Sequence, residues 1–582
     1  MINVVLCWHM HQPDYRHRDE YLRPWTWLHA IKDYSDMAAH LENIPGVRAV
    51  VNFSPVLILQ LQDIARRLDA HLDRGTPIGD EILDALAGQL PEPESWQNLT
   101  RSLLRANEGT MKCRFRAYAT LHQQALDSLS ENRPLSHQNL HDLLVWYVLL
   151  WMGESLRNTP MVAKLQTQAS GFTDADRRDL LCLLADIVRE LLPRYRRLSE
   201  SGQVELSVTP FSHPILPLLL DMNTGSEAMP GVTLPQAQYP GGKTRCDWQL
   251  NNAIRVFREV FGATPAGCWP SEGGLSDATT ELLTEHGFRW TASGARVLTN
   301  SLKHDEGLAN LSSWVIEGQE IDQVDSGHLE NTPVTIFFRD DQLSDRIGFE
   351  YARWEAEAAV DDFITQIEQR LDAWLGSPQA EESPVLSMIM DGENAWEYFP
   401  ENGQAFLSTL YRKLVDHPRI KLTTYSELVA RLQPRVLPAL VAGSWVYGTF
   451  STWVGDAAKN RAWDLLIQAK HAVDAALQPV FEQAAENYQP LPVWAENILQ
   501  QLSVCEASDW FWWLGDDNQL EDGPAFDSLY RQQLTGLYEL LGMVPPDILN
   551  QPLNSTVAEN RDSAASGEPV SGAMRPASET LA

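Results

Sequence analysis

The chain has 582 residues and a formal net charge of −33 at pH 7, with a pI near 4.8. A surface this acidic repels nucleic-acid phosphates and anionic membranes, so a neutral substrate fits it better. The six cysteines are scattered with no C-x-x-C pair, which suits a reducing, cytoplasmic setting and supplies neither a disulfide framework nor a thiolate metal site.

The apolar start, 2–6, reads as a first strand rather than a signal peptide, because it has no basic leader and no small-residue cleavage site. Further short β-rich runs follow at 47–53, 204–208, 266–268, 288–291, 334–338 and 385–390, separated by helix-periodic stretches. Seven such runs predict parallel β/α units. The segment from about 60 to 200 is too long for a simple crossover and reads as a helical insertion. Its longest apolar run, 143–152, is too short to span a bilayer. These patterns predict a catalytic region over 1–435, a helical domain over 436–548 and, from composition, a disordered tail over 549–582.

Polar clusters sit directly after the predicted strands. His9, His11 and Gln12 follow the first run, His213 the third, Trp269 and Glu272 the fourth, Arg339 and Asp340 the sixth, and Asp391, Glu393 and Trp396 the seventh. In a β/α barrel the carboxyl ends of the strands form one pocket, so these clusters are expected to converge. Glu272 lies in a Trp-Pro-Ser-Glu-Gly-Gly turn, as an active carboxylate or a loop residue. Asp391 ends an apolar run, where burial raises a carboxyl pKa as a proton donor requires; the alternative is a helix N-cap. Two carboxyls in different environments are the minimum for glycosidic bond cleavage.

His9, His11 and His213 read either as hydrogen-bond partners of sugar hydroxyls or as metal ligands, and no firm ligand spacing completes a metal set. Arg339 and Asp340 read as a clamp or as a solvated ion pair. Trp445, Tyr447, Trp453 and Asp456 lie in a run of aromatics and glycines that suits sugar subsites or an aromatic interface. The run 508–517, rich in tryptophan, is expected to pack between helices with some rings facing the cleft.

In order, these clusters resemble glycoside hydrolase family 57, which contains α-amylases, amylopullulanases, 4-α-glucanotransferases and branching enzymes. The motif regions are HMHQP at 9–13, GQVELSVTPFSHPILPLL at 202–219, GCWPSEGGLS at 267–276, MIMDGENAWE at 388–397 and SWVYGTFSTWVGDAAKNRAW at 444–463. The resemblance implies an incomplete seven-stranded (β/α)7 TIM-like barrel with a C-terminal α-helical domain. It also implies Glu272 as nucleophile and Asp391 as general acid/base, with His11, His213 and Trp269 as motif residues, an α-glucan substrate and no metal or cofactor. The 337–349 and 509–513 stretches look most like the amylase and amylopullulanase branch. Where such relatives tend to carry an acidic pair, this chain has Gly294 and Ala295. The competing classes are a metal-dependent deacetylase or mannosidase, which would hold an ion on His9, His11 and an acid, and a silent glucan-binding protein.

Overall fold

The computed structural model describes residues 1–92, 95–302, 307–317, 332–487, 489–515 and 523–554. Seven parallel strands close into a ring: β1 (Ile2–Met10), β2 (Ala49–Phe53), β3 (Val204–Val208), β4 (Gly267–Cys268), β5 (Trp290–Gly294), β6 (Thr335–Arg339) and β7 (Val385–Asp391). Each pairs with the next, β7 pairs with β1, and Ser387 against Arg339 seals β7 to β6. The result is a barrel one strand short of eight. All nine residues of β1 are buried, as a parallel strand covered on both faces requires.

The strands differ from the predicted runs at their ends. β1 runs on to Met10, because His9 and Met10 keep pairing with Asn52 and Phe53 of β2. β5 begins at Trp290, later than the apolar run suggests, because Gly287 turns the chain with φ +78° and leaves Phe288 packed ahead of the strand. Short strands at Trp314–Ile316, Ile420–Leu422 and Arg435–Leu437 add to the same sheet; runs this short leave little periodicity in the sequence.

Between β2 and β3 the chain is helical. α1 (Pro55–Arg74) starts with proline in its first turn and stops at left-handed Gly75, which spares a β-carbon at that conformation. α2 (Asp174–Glu200) opens with a reciprocal capping box of Thr173 and Asp176 and returns the chain to β3. Beyond the barrel come α3 (Ala457–Asn487), α4 (Val493–Cys505), the single turn α5 (Asp509–Trp512) and α6 (Gly523–Leu540). Leu549 and Leu553 pack as buried residues after α6. From 555 on, the expected tail lies outside the described residues. No helix among the described residues is long and apolar enough to cross a membrane.

Two backbone seams fasten the C-terminal part to the barrel mouth. Leu275 and Gly443 exchange hydrogen bonds of 2.9 and 3.1 Å, and Pro214 bridges Ala507. Behind the second seam, Glu506 is fully buried and receives Arg245 at 2.7 Å, Gln249 at 2.6 Å and Tyr239 at 2.5 Å.

Candidate active site

The register of the barrel brings the distant clusters together. His9 sits beside Asp391 across β1 and β7, and beside Asn52 across β1 and β2. The loops after β3 and β4 deliver His213 and Glu272 to the same end.

Glu272 occupies a left-handed backbone conformation, φ 58° and ψ 22°, as does His213 at φ 67°. For residues with a β-carbon this costs about 1–3 kcal/mol each and persists only where the surroundings hold it. For Glu272 the holders are visible. Its carbonyl accepts the backbone N–H of Trp445 at 2.9 Å, and Oε2 accepts the Trp445 indole N–H at 3.0 Å. Oε1 lies 3.1 Å from the hydroxyl oxygen of Ser508. Burial, reinforced by the charge of nearby Asp391, pushes the Glu272 carboxyl up to about 8.

Three imidazoles form a stack beside it. The His11 and His213 rings lie 3.9 Å apart, and those of His9 and His213 5.1 Å apart. His9 Nδ1 meets Asn52 Oδ1 at 2.7 Å, and its Nε2 meets His213 Nε2 at 3.1 Å. His213 Nδ1 contacts Ser508 Oγ at 2.8 Å. His11 contacts Ser54 Oγ at 2.8 Å and Asp509 at 2.9 Å. Burial, then the charge of His11, lowers His9 to about 3; the same causes, with His9 added, hold His213 well below the ordinary imidazole range. One atom each from His11, His213 and Asp509 lie within 4.8 Å of one another, the one grouping among the described residues with the ligand types for a metal ion. Since His11 already bonds Asp509, and His213 bonds both Ser508 and His9, the cluster is a satisfied hydrogen-bond network.

Asp391 is half-buried at the end of β7 and accepts the amide of Asn394 at 2.8 Å. Burial raises its carboxyl, against the opposing pull of Asn394, His11 and Arg339. Glu393 is more enclosed. Its Oε1 takes the Gln12 amide and the Tyr34 hydroxyl, both at 3.1 Å, while buried Oε2 finds no partner among the described residues. Burial and the Asp391 charge keep Glu393 protonated far above the usual carboxylate range.

Trp269 is fully buried, edge-on to Trp445 with ring centroids 5.2 Å apart, and its indole N–H finds no acceptor among the described residues. Arg339 stands 5.4 Å over the Trp445 ring and binds Asp341, Asp345 and the Ile389 carbonyl, so it braces the indole from behind. Other residues singled out in the sequence have structural contacts. Asp340 caps the helix Asp341–Asp345 and pairs with Arg370 at 2.7 Å. Trp396 is buried with its indole on the Gly392 carbonyl, and Trp453 is buried against Trp512. Asp456 accepts the Ala458 N–H at 2.7 Å at the start of α3, and half-buried Tyr447 takes a turn at φ 56°.

Sequence reasoning did not single out Asn52, Ser54, Ser508 or Asp509 as site residues. A signal existed for each: Asn52 and Ser54 are polar residues on either side of Phe53 at the end of the run 49–53, and a serine–aspartate pair opens a tryptophan-rich turn. Gly294, noted as a departure, has a physical reason: a β-carbon there would stand 2.7 Å from Trp445 Cα.

Three comparisons place this geometry among known proteins. The sequence profile of glycosyl hydrolase family 57 matches residues 5–441. No curated protein sequence matches the chain. Among solved structures, the GH57-type branching enzyme of Pyrococcus horikoshii superposes with a TM-score of 0.51 at 16% identity, covering 98% of this chain and 99% of that one. The GH57 branching enzyme of Thermococcus kodakaraensis, crystallised with glucose, gives 0.52 at 15% identity, covering 98% of each chain. The α-amylase AmyC of Thermotoga maritima gives 0.53 at 13% identity, covering 94% of this chain and 95% of that one. At these identities the likeness is one of fold.

Proposed function

Since the chain belongs to glycosyl hydrolase family 57, whose enzymes hydrolyse or transfer α-glucan chains, we propose that it cleaves α-glucosidic bonds of glycogen, maltodextrin or starch by double displacement with retention. The observation that carries this reading is the pairing of two carboxyls in unlike holders at one barrel mouth. Glu272 is fixed by the Trp445 indole and faces Ser508, whereas Asp391 accepts the amide of Asn394 and is half-buried at the strand end. A nucleophile must be aimed, and a proton shuttle must reach both the leaving oxygen and the acceptor.

In the first step Glu272 attacks the anomeric carbon while Asp391 protonates the departing sugar oxygen. In the second, Asp391 takes a proton from water, which opens the glycosyl-enzyme ester with the original configuration. A sugar hydroxyl in place of that water turns the same cycle into glucanotransfer or branching. Trp445, backed by the buried Trp269, supplies an aromatic wall for the sugar at the cleavage point. No step calls on a metal, which separates this reading from a metal-dependent deacetylase or mannosidase.

The deciding experiment incubates the pure protein with maltoheptaose and with glycogen and follows product lengths and anomeric configuration by chromatography and NMR. Shorter α-anomeric products with new reducing ends support hydrolysis. Longer chains mark disproportionation, and new α-1,6 signals mark branching. Initial β-anomers overturn retention, and binding without turnover overturns the enzyme reading in favour of a silent glucan binder.

A further inference from the structure

The contacts between Asn52 and Glu272 form one chain of hydrogen bonds, and the orientation of the Asn52 amide sets its direction. Asn52 Oδ1 accepts the Thr209 hydroxyl at 2.7 Å while its amide donates to Ser207 at 3.1 Å. In this orientation the oxygen also faces His9, whose Nδ1–H donates to it. His9 is fully enclosed and held uncharged, so its Nε2 is a lone pair. The contact of 3.1 Å between His9 Nε2 and His213 Nε2 then requires the proton on His213 Nε2. His213, also enclosed and uncharged, presents Nδ1 as a lone pair to Ser508 Oγ at 2.8 Å. Ser508 has one proton, and it is donated there. Its remaining lone pairs face Glu272 Oε1 at 3.1 Å, and that contact is a hydrogen bond only if Oε1 carries a proton. In this arrangement the nucleophile is a neutral acid, in agreement with the effect of its burial.

A second arrangement keeps the same contacts with the Asn52 amide unmoved. The proton leaves Glu272 Oε1 for Ser508 Oγ as the Ser508 proton leaves for His213 Nδ1. One O–H bond breaks and one forms at the serine, and an N–H bond forms on the imidazole. The acid and the neutral imidazole become a carboxylate and an imidazolium, and the number of protons is unchanged. Ser508 then donates to the carboxylate, and the imidazolium faces it with Nδ1 3.9 Å from Oε1.

We propose that Ser508 and His213 are positioning residues that receive the proton of Glu272, so that the carboxylate needed for attack arises inside the closed site without exchange with solvent. The inference rests on the reading of Glu272 as nucleophile. The charges facing the relay are those of Asp391 at the end of β7 toward Glu272, His9 and His11 on and after β1 toward His213, Asp509 at the head of α5, and Arg339 behind the Trp445 ring. The two aspartates oppose a charge on Glu272, and His11 and His9 oppose one on His213, so the pair forms only through its own attraction. Substrate that displaces water from the pocket strengthens the attraction between carboxylate and imidazolium.

The test is the pH profile of kcat/KM on maltoheptaose between pH 5 and pH 9 for the parent, Ser508→Ala, Ser508→Thr and Glu272→Gln. With the relay intact, ionisation of Glu272 releases no proton to solvent, and the acid limb stays low. In Ser508→Ala the proton must leave to solvent, so activity falls about tenfold per pH unit below the Glu272 pKa. The ratio of Ser508→Ala to parent is therefore expected to drop roughly a hundredfold from pH 8 to pH 6, while Ser508→Thr restores the parental limb. If Ser508→Ala does not fold, His213→Gln, which removes the basic nitrogen, carries the same expectation. A Ser508→Ala limb that superimposes on the parent overturns the relay, provided Glu272→Gln is inactive. A Glu272→Gln enzyme with parental turnover overturns the nucleophile reading itself and the relay with it.

Discussion

Trp445 holds Glu272 twice, with its backbone N–H on the Glu272 carbonyl at 2.9 Å and its indole N–H on Oε2 at 3.0 Å, across a sequence separation of 173. A single residue of the C-terminal segment thus orients both the strained backbone and the carboxylate of the proposed nucleophile. Trp445→Phe keeps the ring and the backbone bond but removes the indole donor. Loss of one such donor to a reacting carboxylate should lower kcat on the order of 10- to 100-fold, with KM for maltoheptaose little changed. Steady-state kinetics checks this, and an unaltered kcat would reduce the indole to packing.

The two carboxyls should fail in different ways. Glu272→Gln and Asp391→Asn are each expected to reduce maltoheptaose turnover by roughly 10³-fold or more. A substrate such as α-maltosyl fluoride leaves without a proton. Asp391→Asn should therefore still form the glycosyl-enzyme from it and release an initial burst of fluoride, whereas Glu272→Gln should show none. A burst in both variants contradicts the assignment of roles.

Glu272 also weakens the fold it serves. Its carboxyl is raised from 4.5 to about 8, so between those values the folded chain binds a proton that the unfolded chain has released, and stability falls as pH rises through that window. Glu272→Gln removes the titration. Its melting temperature should match the parent near pH 4.5 and exceed it increasingly toward pH 8, by about 2 kcal/mol or more in unfolding free energy. Parallel melting curves across pH would contradict the burial of the charge.

Gly294 is a steric requirement. With a β-carbon 2.7 Å from Trp445 Cα, Gly294→Asp must push the segment carrying the indole away from Glu272. Activity should drop at least as far as in Trp445→Phe, with an added loss of stability of about 1–3 kcal/mol from overpacking. Calorimetry and kinetics on the two single variants and their combination should give strongly non-additive effects on kcat.

Exhaustive chelation provides a further check. His11, His213 and Asp509 already have hydrogen-bond partners, so dialysis against a strong chelator should leave the rate on maltoheptaose unchanged. Loss of activity, restored by one divalent ion, would turn the cluster into a metal centre.

The barrel was legible because its strands are enclosed on both faces, and runs such as 385–390 are buried throughout and apolar but for Ser387. The converging clusters at 9–12, 213, 269–272 and 391–393 were legible because polar residues at the ends of such runs have no other reason to cluster. The holders were less legible. Asn52 looks like one polar residue in an ordinary strand until the register sets it beside His9. Ser508 and Asp509 follow helical periodicity, and only the pairing of Pro214 with Ala507 brings them to the barrel mouth. Composition favoured sugar subsites for 445–456 and left an interface open; long-range packing distinguishes Trp445, which reaches Glu272, from Trp453, which is buried against Trp512. Asp340 and Asp456 have the chemistry of sugar contacts, yet each caps a helix, and a free helix end one or two residues away is an equally good use for a carboxylate.

The seam at Leu275 and Gly443 has a practical consequence for anyone trimming or heating this protein. The barrel strands can be complete while the chemistry is silent, because the turn bearing residue 272 takes its shape from chain that docks onto the finished ring. Partial undocking of that outer layer, well short of melting, should switch turnover off and allow it to return on cooling. The working lifetime of the activity is therefore expected to follow the docking of this outer segment rather than the cylinder beneath.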